Sequence, residues 1–380
     1  MLLEYGFKNF LSFKEGVTVS FRLDSKTPES IRGSRSFSTI LCVKGANGSG
    51  KTHLLKALAF ISSFAAASFG EDPDSDIALD PFYNSNKPSE FYVEFQVNEK
   101  VYLYELSVTK KKVVREALYE TVKRKTLLFE RIENEILAIK RLGHLSSMKL
   151  RSNASVISTA NQHSEELLND IYKFFANIRY NVTQSGFTTK GRLFDGNTVS
   201  KFLLENPDYL KSAVSFLREC DIGISDITIS SEEGEEGKKR YFPVFHHKVG
   251  KKTELVYPNT QSSGTLYLYR LLLAYTITIR DGSILIVDEF DIYLHPHILP
   301  KILDLFLDEH TNPRGAQLIF SAHNSDVLDI SGKYRTYLVN KEDNASYAYR
   351  MDEIPGDTLR NDRSIVPAYK EGRLGGVPRI

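Results

Sequence analysis

The chain has 380 residues, 41% of them apolar and 26% charged, which is enough to bury a sizeable core in one large domain or two modest ones. A net charge of +1 excludes a wholly basic nucleic-acid binder, though not a local basic patch. Two cysteines, Cys42 and Cys220, are too few for a disulfide framework and fit a reducing cytoplasm; no run reaches the ~18 apolar residues of a membrane helix, and the start lacks a signal-peptide layout.

Residues 1–66 read as strands, a turn, a short buried strand and a helix. The apolar residues Ile40, Leu41, Cys42 and Val43 form the strand, and "HLLKALAFISSFAAA" from His53 has the length and composition of a helix. Between them, Gly45-Ala46-Asn47-Gly48-Ser49-Gly50-Lys51-Thr52 matches G-x-x-x-x-G-K-[ST] at every fixed position. Glycine lets the main chain approach a ligand closely, successive N–H groups then point inward, and the helix N-terminus adds partial positive charge. That is a phosphate cradle, in which Lys51 reaches the outer phosphates and the Thr52 hydroxyl ligates Mg²⁺. A glycine-rich turn before a helix is the plain alternative; the flanking strand and helix favour the cradle.

Residues 67–90 are polar and rich in Asp, Pro and Asn, so a loop is predicted. "FYVEFQV" and "VYLYELSV" alternate apolar and polar around "NEK", which predicts a hairpin, and the charged text to about residue 132 keeps a strand rhythm. Helices are predicted from about Ser155 to Asn177 and from Asn197 to Arg218, and "SEEGEEGKKR" (231–240) reads as a charged, glycine-broken loop. His246-His247 reads as part of a loop or strand rather than a metal site, since no further ligand sits at the required spacing.

"ILIVDEF" (284–290) is a buried strand that would deliver Asp288 and Glu289 to the carboxyl edge of a sheet, where open α/β sheets bind ligands. Asp288 could hold Mg²⁺, usually through water, opposite Thr52, and Glu289 could orient attacking water. Helix follows from about His297 to His310, then the buried strand "QLIFSAH" (317–323), whose His323 could hydrogen-bond a γ-phosphate. Upstream, Gln261-Ser262-Ser263-Gly264-Thr265 opens a helix; it reads either as an ordinary N-cap or as a second anion site that serves a nucleotide held by another subunit. Strands alternating with helices predict an α/β fold with a mainly parallel sheet.

The motifs "GANGSGKT", "QSSGT", "LIVDEFDIYLHP" and "SAH" resemble, in order and character, those of ABC-type ATPase heads. The opening "FKNFLSF" is similar to the first strands of the OLD, RecF and SMC branch. "SSGT", "DEFD", "LHP" and the ending "YKEGRLGGVPRI" resemble AAA-type ATP-binding proteins of bacterial anti-phage and abortive-infection systems. The resemblance covers most of the chain and is weakest over about 100–220. It implies a phosphate-loop head with an antiparallel β subdomain, divided as an N-terminal part (1–100), an inserted strand and helical subdomain (101–220) and a C-terminal part (221–380). Gly45, Asn47, Gly48, Ser49, Gly50, Lys51, Thr52 and His53 would cradle the phosphates of ATP, Thr52 and Asp288 would hold Mg²⁺, Glu289 would act as base and His323 as switch. Ser262, Ser263 and Gly264 would clamp the γ-phosphate of a partner, in a head-to-tail homodimer closing on two ATPs, and Asp291 falls in a loop that usually contacts that partner. Gln261 and Asn324 depart from the Glu and Asp common in the closest group, and no Q-loop glutamine is assigned.

The resemblance carries three functional expectations. The segment after His323 is too short for the TOPRIM nuclease that OLD proteins append, and no sustained heptads separate Thr52 from Gln261, so the middle is compact. The first expectation is therefore a sensor or regulatory ATPase of an anti-phage system that controls a separately encoded effector, such as a TOPRIM-type or HNH nuclease. The second is a RecF-like repair ATPase that touches nucleic acid through "KKKVVR" (110–115) and "KRK" (123–125). The third, a transporter's ATP-binding subunit, fits "FKNFLSF" and "SSGT" poorly. A toxin acting alone would need a nucleophile–base pair outside the ATP site, and the sequence offers none.

Overall fold

The computed structural model describes all residues except 26, 164–165, 184–185, 188–194, 222, 234–236, 356–358, 361–362 and 378–380, and at 140, 141, 144, 183, 186 and 187 the backbone alone. Two large sheets enclose one long helix. The first sheet has seven strands, all antiparallel, in the spatial order Val17–Ser20, Leu2–Lys8, Ser89–Val97, Lys100–Val108, Val113–Thr121, Lys125–Ile132 and Glu135–Ala138. The second has six strands in the order Ala345–Arg350, Thr336–Glu342, Ile40–Gly45, Gln317–Ser321, Ile284–Val287 and Arg179–Tyr180. All its pairings are parallel except that of the first two. This is the expected α/β head, a mainly parallel sheet beside an antiparallel β subdomain.

The strand Ile40–Gly45 shows why the parallel sheet needs cover on both sides. Leu41 and Val43 face a core shared with Leu54, Leu58 and Ile61 of the helix Lys51–Ala67 and with Tyr5, Phe91 and Val93 of the antiparallel sheet. Ile40 and Cys42, on the opposite face, join Leu271, Tyr275, Leu303 and Phe306 of the helices Ser263–Asp281 and Leu299–Leu307. Side chains alternate along a strand, so a run that is apolar at every position is the signature of a sheet buried on both faces. The helix Lys51–Ala67 is apolar nearly all round for the same reason. With its extension to Gly70 it is long and apolar enough to cross a membrane, yet 56% of that span is buried inside this fold.

Polar ties join the two sheets. The buried Gln317 accepts from Leu2 N (2.7 Å) and donates to Leu2 O (2.9 Å) and Ser38 O (3.1 Å), and Tyr5 Oη donates to Leu54 O (3.1 Å). In the antiparallel sheet, Glu116 and Arg131 are fully buried 3.7 Å apart. Glu116 accepts from Val156 N (2.9 Å) and Tyr104 Oη (2.9 Å), while Arg131 donates to the carbonyls of Ala154 and Arg151, so the pair anchors the start of the helix Val156–Gln162.

Several predicted boundaries move. The seven-stranded sheet runs across residue 100 without a break, because Ser89–Val97 and Lys100–Val108 are hydrogen-bonded neighbours. The helices Gly196–Glu205 and Pro207–Cys220 pack on a three-stranded antiparallel sheet, Ile224–Glu233, Lys239–Val249 and Lys252–Val256. Of the charged loop expected at 231–240, residues 231–233 and 239–240 are strand and 234–236 lie outside the described residues; Glu232 pairs with Arg240 and Glu233 with Lys239, so opposite charges face each other across the ladder. The helix expected from His297 to His310 is Leu299–Leu307, with a short 3-10 turn before it at Pro296–Ile298.

Candidate functional site

The site lies at the carboxyl edge of the parallel sheet, where three neighbouring strands end. Ile40–Gly45 leads into the phosphate loop, Gln317–Ser321 lies beside it, and Ile284–Val287 lies beside that. The loop's glycines are required by its shape. Gly48 and Gly50 have φ of 75° and 111°, and a Cβ on Gly45 would stand 2.5 Å from Ser49 Oγ and from Val339 O.

Contacts from remote segments hold the loop. Ser346 Oγ lies 2.6 Å from Ser49 O and 2.7 Å from Ser12 Oγ, and Ser12 Oγ lies 2.7 Å from His53 Nδ1. Ser12 belongs to the opening "NFLSF", so that phrase reaches the phosphate loop directly. Burial, helped by the positive charges of Lys56 and Lys341, pushes the His53 imidazole down to about 4 and keeps it neutral. Lys51 donates to its own loop, to Gly45 O (2.9 Å) and Ala46 O (3.1 Å). Burial lowers its pKa, and the carboxylates Asp288, Glu289 and Asp291 oppose that shift.

Thr52 Oγ1 donates to Asp288 Oδ2 at 2.6 Å, across 236 residues of sequence. The buried Asp288 is fixed from several sides. Ser321 Oγ donates to its other carboxylate oxygen, and Asn181 brackets its backbone, accepting from Asp288 N (2.7 Å) and donating to Asp288 O (3.0 Å). Glu289 follows with φ of 52°, a left-handed conformation unusual for a glutamate, held by Ser321 Oγ on its N–H (2.9 Å) and by Phe290 N on Ser321 O (2.9 Å). Strained backbone of this kind persists only where its surroundings over-determine it, and it collects at functional sites. His323 is exposed two residues beyond the end of the neighbouring strand, on a turn whose amides donate to Asp291.

The donor set fits a triphosphate with its metal. Ser49 Oγ is buried in the loop with no hydrogen-bond partner, where a Cβ on Gly45 would meet it together with Val339 O. The Lys51 ammonium sits on carbonyls of the loop itself, and Thr52 with Asp288 supplies the hydroxyl and carboxylate oxygens that suit Mg²⁺.

Ser262, Ser263 and Gly264 stand apart from this cluster. Ser262 caps the helix Ser263–Asp281: its Oγ accepts from Thr265 N (3.1 Å), and Thr265 Oγ1 donates to Asp221 (2.6 Å). Gln261 contacts His247 Nε2 at 3.2 Å, and a Cβ on Gly264 would meet Tyr293 O at 2.6 Å, so only glycine admits that loop. The pocket of about 640 Å³ beside this turn is lined by Cys220, Tyr293, His295 and Lys301 and contains no phosphate-loop residue. Asp291, in the loop that resembles a partner-contacting one, is half-buried and takes the amides of His323 (2.9 Å) and Asn324.

Sequence reasoning missed Lys44, Asn181, Ser321, Ser12 and Ser346. Lys44 and Ser321 had signals, a single charge closing an apolar run and a serine directly before "AH". Asn181 and Ser346 had none.

A glycine loop at a strand end, a following core helix and a carboxylate pair two strands away define a phosphate-loop ATPase head. Residues 40–329 match the family described as "AAA domain, putative AbiEii toxin, Type IV TA system", and the chain belongs to that family. It is also similar to the Smc head domain of Pyrococcus furiosus, solved with an extended coiled coil and bound to the C-terminal domain of ScpA. The identity is 14% over 93% of this chain and 97% of that one, with a TM-score of 0.47. None of the curated proteins matches the chain.

Proposed function

We propose that the chain is a Mg²⁺-dependent ATPase that closes as a head-to-tail homodimer on ATP and regulates a separately encoded effector, a TOPRIM-type or HNH nuclease, in bacterial anti-phage defence. The observation that carries the ATPase reading is the 2.6 Å bond from Thr52 to Asp288, which joins phosphate loop and carboxylate strand. The loop amides, Ser49 and Lys51 bind phosphate oxygens. Thr52 and Asp288 hold Mg²⁺, which neutralises charge on the outer phosphates. Glu289 orients a water for in-line attack and takes its proton, and the His323 imidazole hydrogen-bonds the γ-phosphate. The separation of Ser262 from the phosphate loop supports a site completed by a second subunit.

The alternative, direct binding of DNA, is less favoured because the basic run 110–115 is matched by nearby carboxylates. Lys110 pairs with Asp80, Lys111 with Asp76, Lys112 with Glu133, and Arg115 with Glu105 and Glu130. The test is light scattering of Glu289→Gln with and without Mg-ATP, beside the products of adjacent genes. A dimer or larger complex that captures a neighbour supports the proposal. A monomer with ATP bound overturns the shared site, and ATP hydrolysis stimulated by DNA with steep salt dependence would favour the alternative.

A further inference from the structure

Lys44 is the residue immediately before the phosphate loop, and its side chain is 2% exposed. An ammonium has three N–H donors. All three are taken by consecutive carbonyls of one turn: Ala322 O at 3.0 Å, His323 O at 2.8 Å and Asn324 O at 3.1 Å. The same turn is held from the other side, where the Asp291 carboxylate accepts from His323 N and Asn324 N. The three carbonyls of 322–324 and the amides of His323 and Asn324 are thus all bonded, and His323 itself is exposed.

The node extends to the C-terminal segment. Lys44 Nζ lies 5.3 Å from the centre of the Tyr369 ring. Tyr369 Oη donates to Gly376 O (2.8 Å), Gly376 N donates to Asn340 Oδ1 (2.7 Å), and a Cβ on Gly376 would stand 3.7 Å from Gly45 Cα. A lysine that only filled space would not meet three successive carbonyls, and an apolar residue would fill the gap in this buried strand without the desolvation of a charge. Burial lowers the Lys44 pKa, and the negative charge of Asp291 works against that.

We propose that Lys44 is a positioning residue: with Asp291 it clamps the turn 322–324, and so couples the phosphate loop and the C-terminal segment to the placement of the His323 imidazole. The inference rests on the ATPase reading for its consequence, not for its geometry. Two readouts test it. The first is a kinetic cycle. Lys44→Met lowers kcat about tenfold or more with KM for ATP held within about twofold, because a misplaced reacting group costs rate rather than binding. In a His323→Ala background the same change adds less than about twofold, since both act through one side chain. The second is hydrogen exchange of the segment 318–328 without nucleotide, which speeds up in Lys44→Met and in Asp291→Ala.

Losses from Lys44→Met and His323→Ala that multiply, or exchange that does not change, would overturn the proposal. If Lys44→Met does not fold, Asp291→Ala and Asp291→Asn are put through the same cycle, since they release the turn from its half-buried side. A wild-type chain that binds no ATP would end the ATPase reading, and the exchange result would still decide the clamp.

Discussion

The phosphate loop and the turn Gln261–Thr265, called the signature turn below, are both small-residue segments that open a long helix, yet they are held in different ways. The phosphate loop is fixed by residues remote in sequence, Ser12 and Ser346, and it keeps an orphan donor in Ser49. The signature turn is fixed largely by its own helix cap, with braces from Asp221 and His247, and the Ser262 hydroxyl is already bonded. An unsatisfied buried donor asks for a ligand within the chain; a satisfied cap on an exposed turn can meet one only from outside. The comparison therefore separates a site that this chain builds from a turn that the proposed function assigns to a partner.

The largest expected effect falls on the built half. Glu289→Gln keeps the shape and loses the base, so phosphate release drops about 10²–10³-fold while nucleotide binding holds. Equal losses of binding and turnover in a filter-binding and phosphate-release pair would sink the assignment. The offered half is sharpened by Ser262→Asp. Aspartate caps a helix as well as serine does, so the unfolding midpoint stays put, but a carboxylate facing a partner's γ-phosphate should lower the ATPase rate by about tenfold or more. Unchanged turnover would reduce the turn to a cap and remove the partner.

The motifs of both halves stand out in the sequence because each is short and its residues are neighbours. The carboxylate strand and the phosphate loop show their spacing on the page, and their buried strands announce themselves by apolar runs. What holds them was not legible. Ser12, Asn181 and Ser346 lie in three unrelated stretches and meet only after folding. Glu116 and Arg131 looked like their solvated neighbours Arg115 and Glu120, since a charge-rich strand does not say which of its charges face inward. Lys44 differs: an ammonium closing a buried strand must find acceptors, so its role could have been asked of the sequence even though its partners could not be named.

The remote struts give a smaller prediction. Ser346→Ala removes the hydroxyl beside Ser49 O and Ser12 Oγ, at a cost of about 1 kcal/mol. The loop should lose order before the fold does, so ATP affinity falls several-fold while circular dichroism is unchanged. Unaltered affinity would mean that the glycines alone shape the cradle, and the contrast with the signature turn would then be one of degree.

The smallest effect is a pH dependence confined to the built half. His53 is held neutral at the loop, with its pKa down to about 4 in the fold against 6.5 in the open chain. Between those values the unfolded chain binds the extra proton, so stability rises with pH across the window. The contribution is complete above about 6.5 and is lost progressively as pH falls toward 4. From pH 7 to pH 6 the loss is about 0.7 kcal/mol, and it steepens below that, at no more than about 1.4 kcal/mol per pH unit. Urea unfolding at pH 7, 6 and 5 measures it, with His53→Asn as the reference that should flatten this part of the curve. An equal slope in both proteins would assign the pH dependence to other groups and leave the Ser12–His53 contact as packing alone.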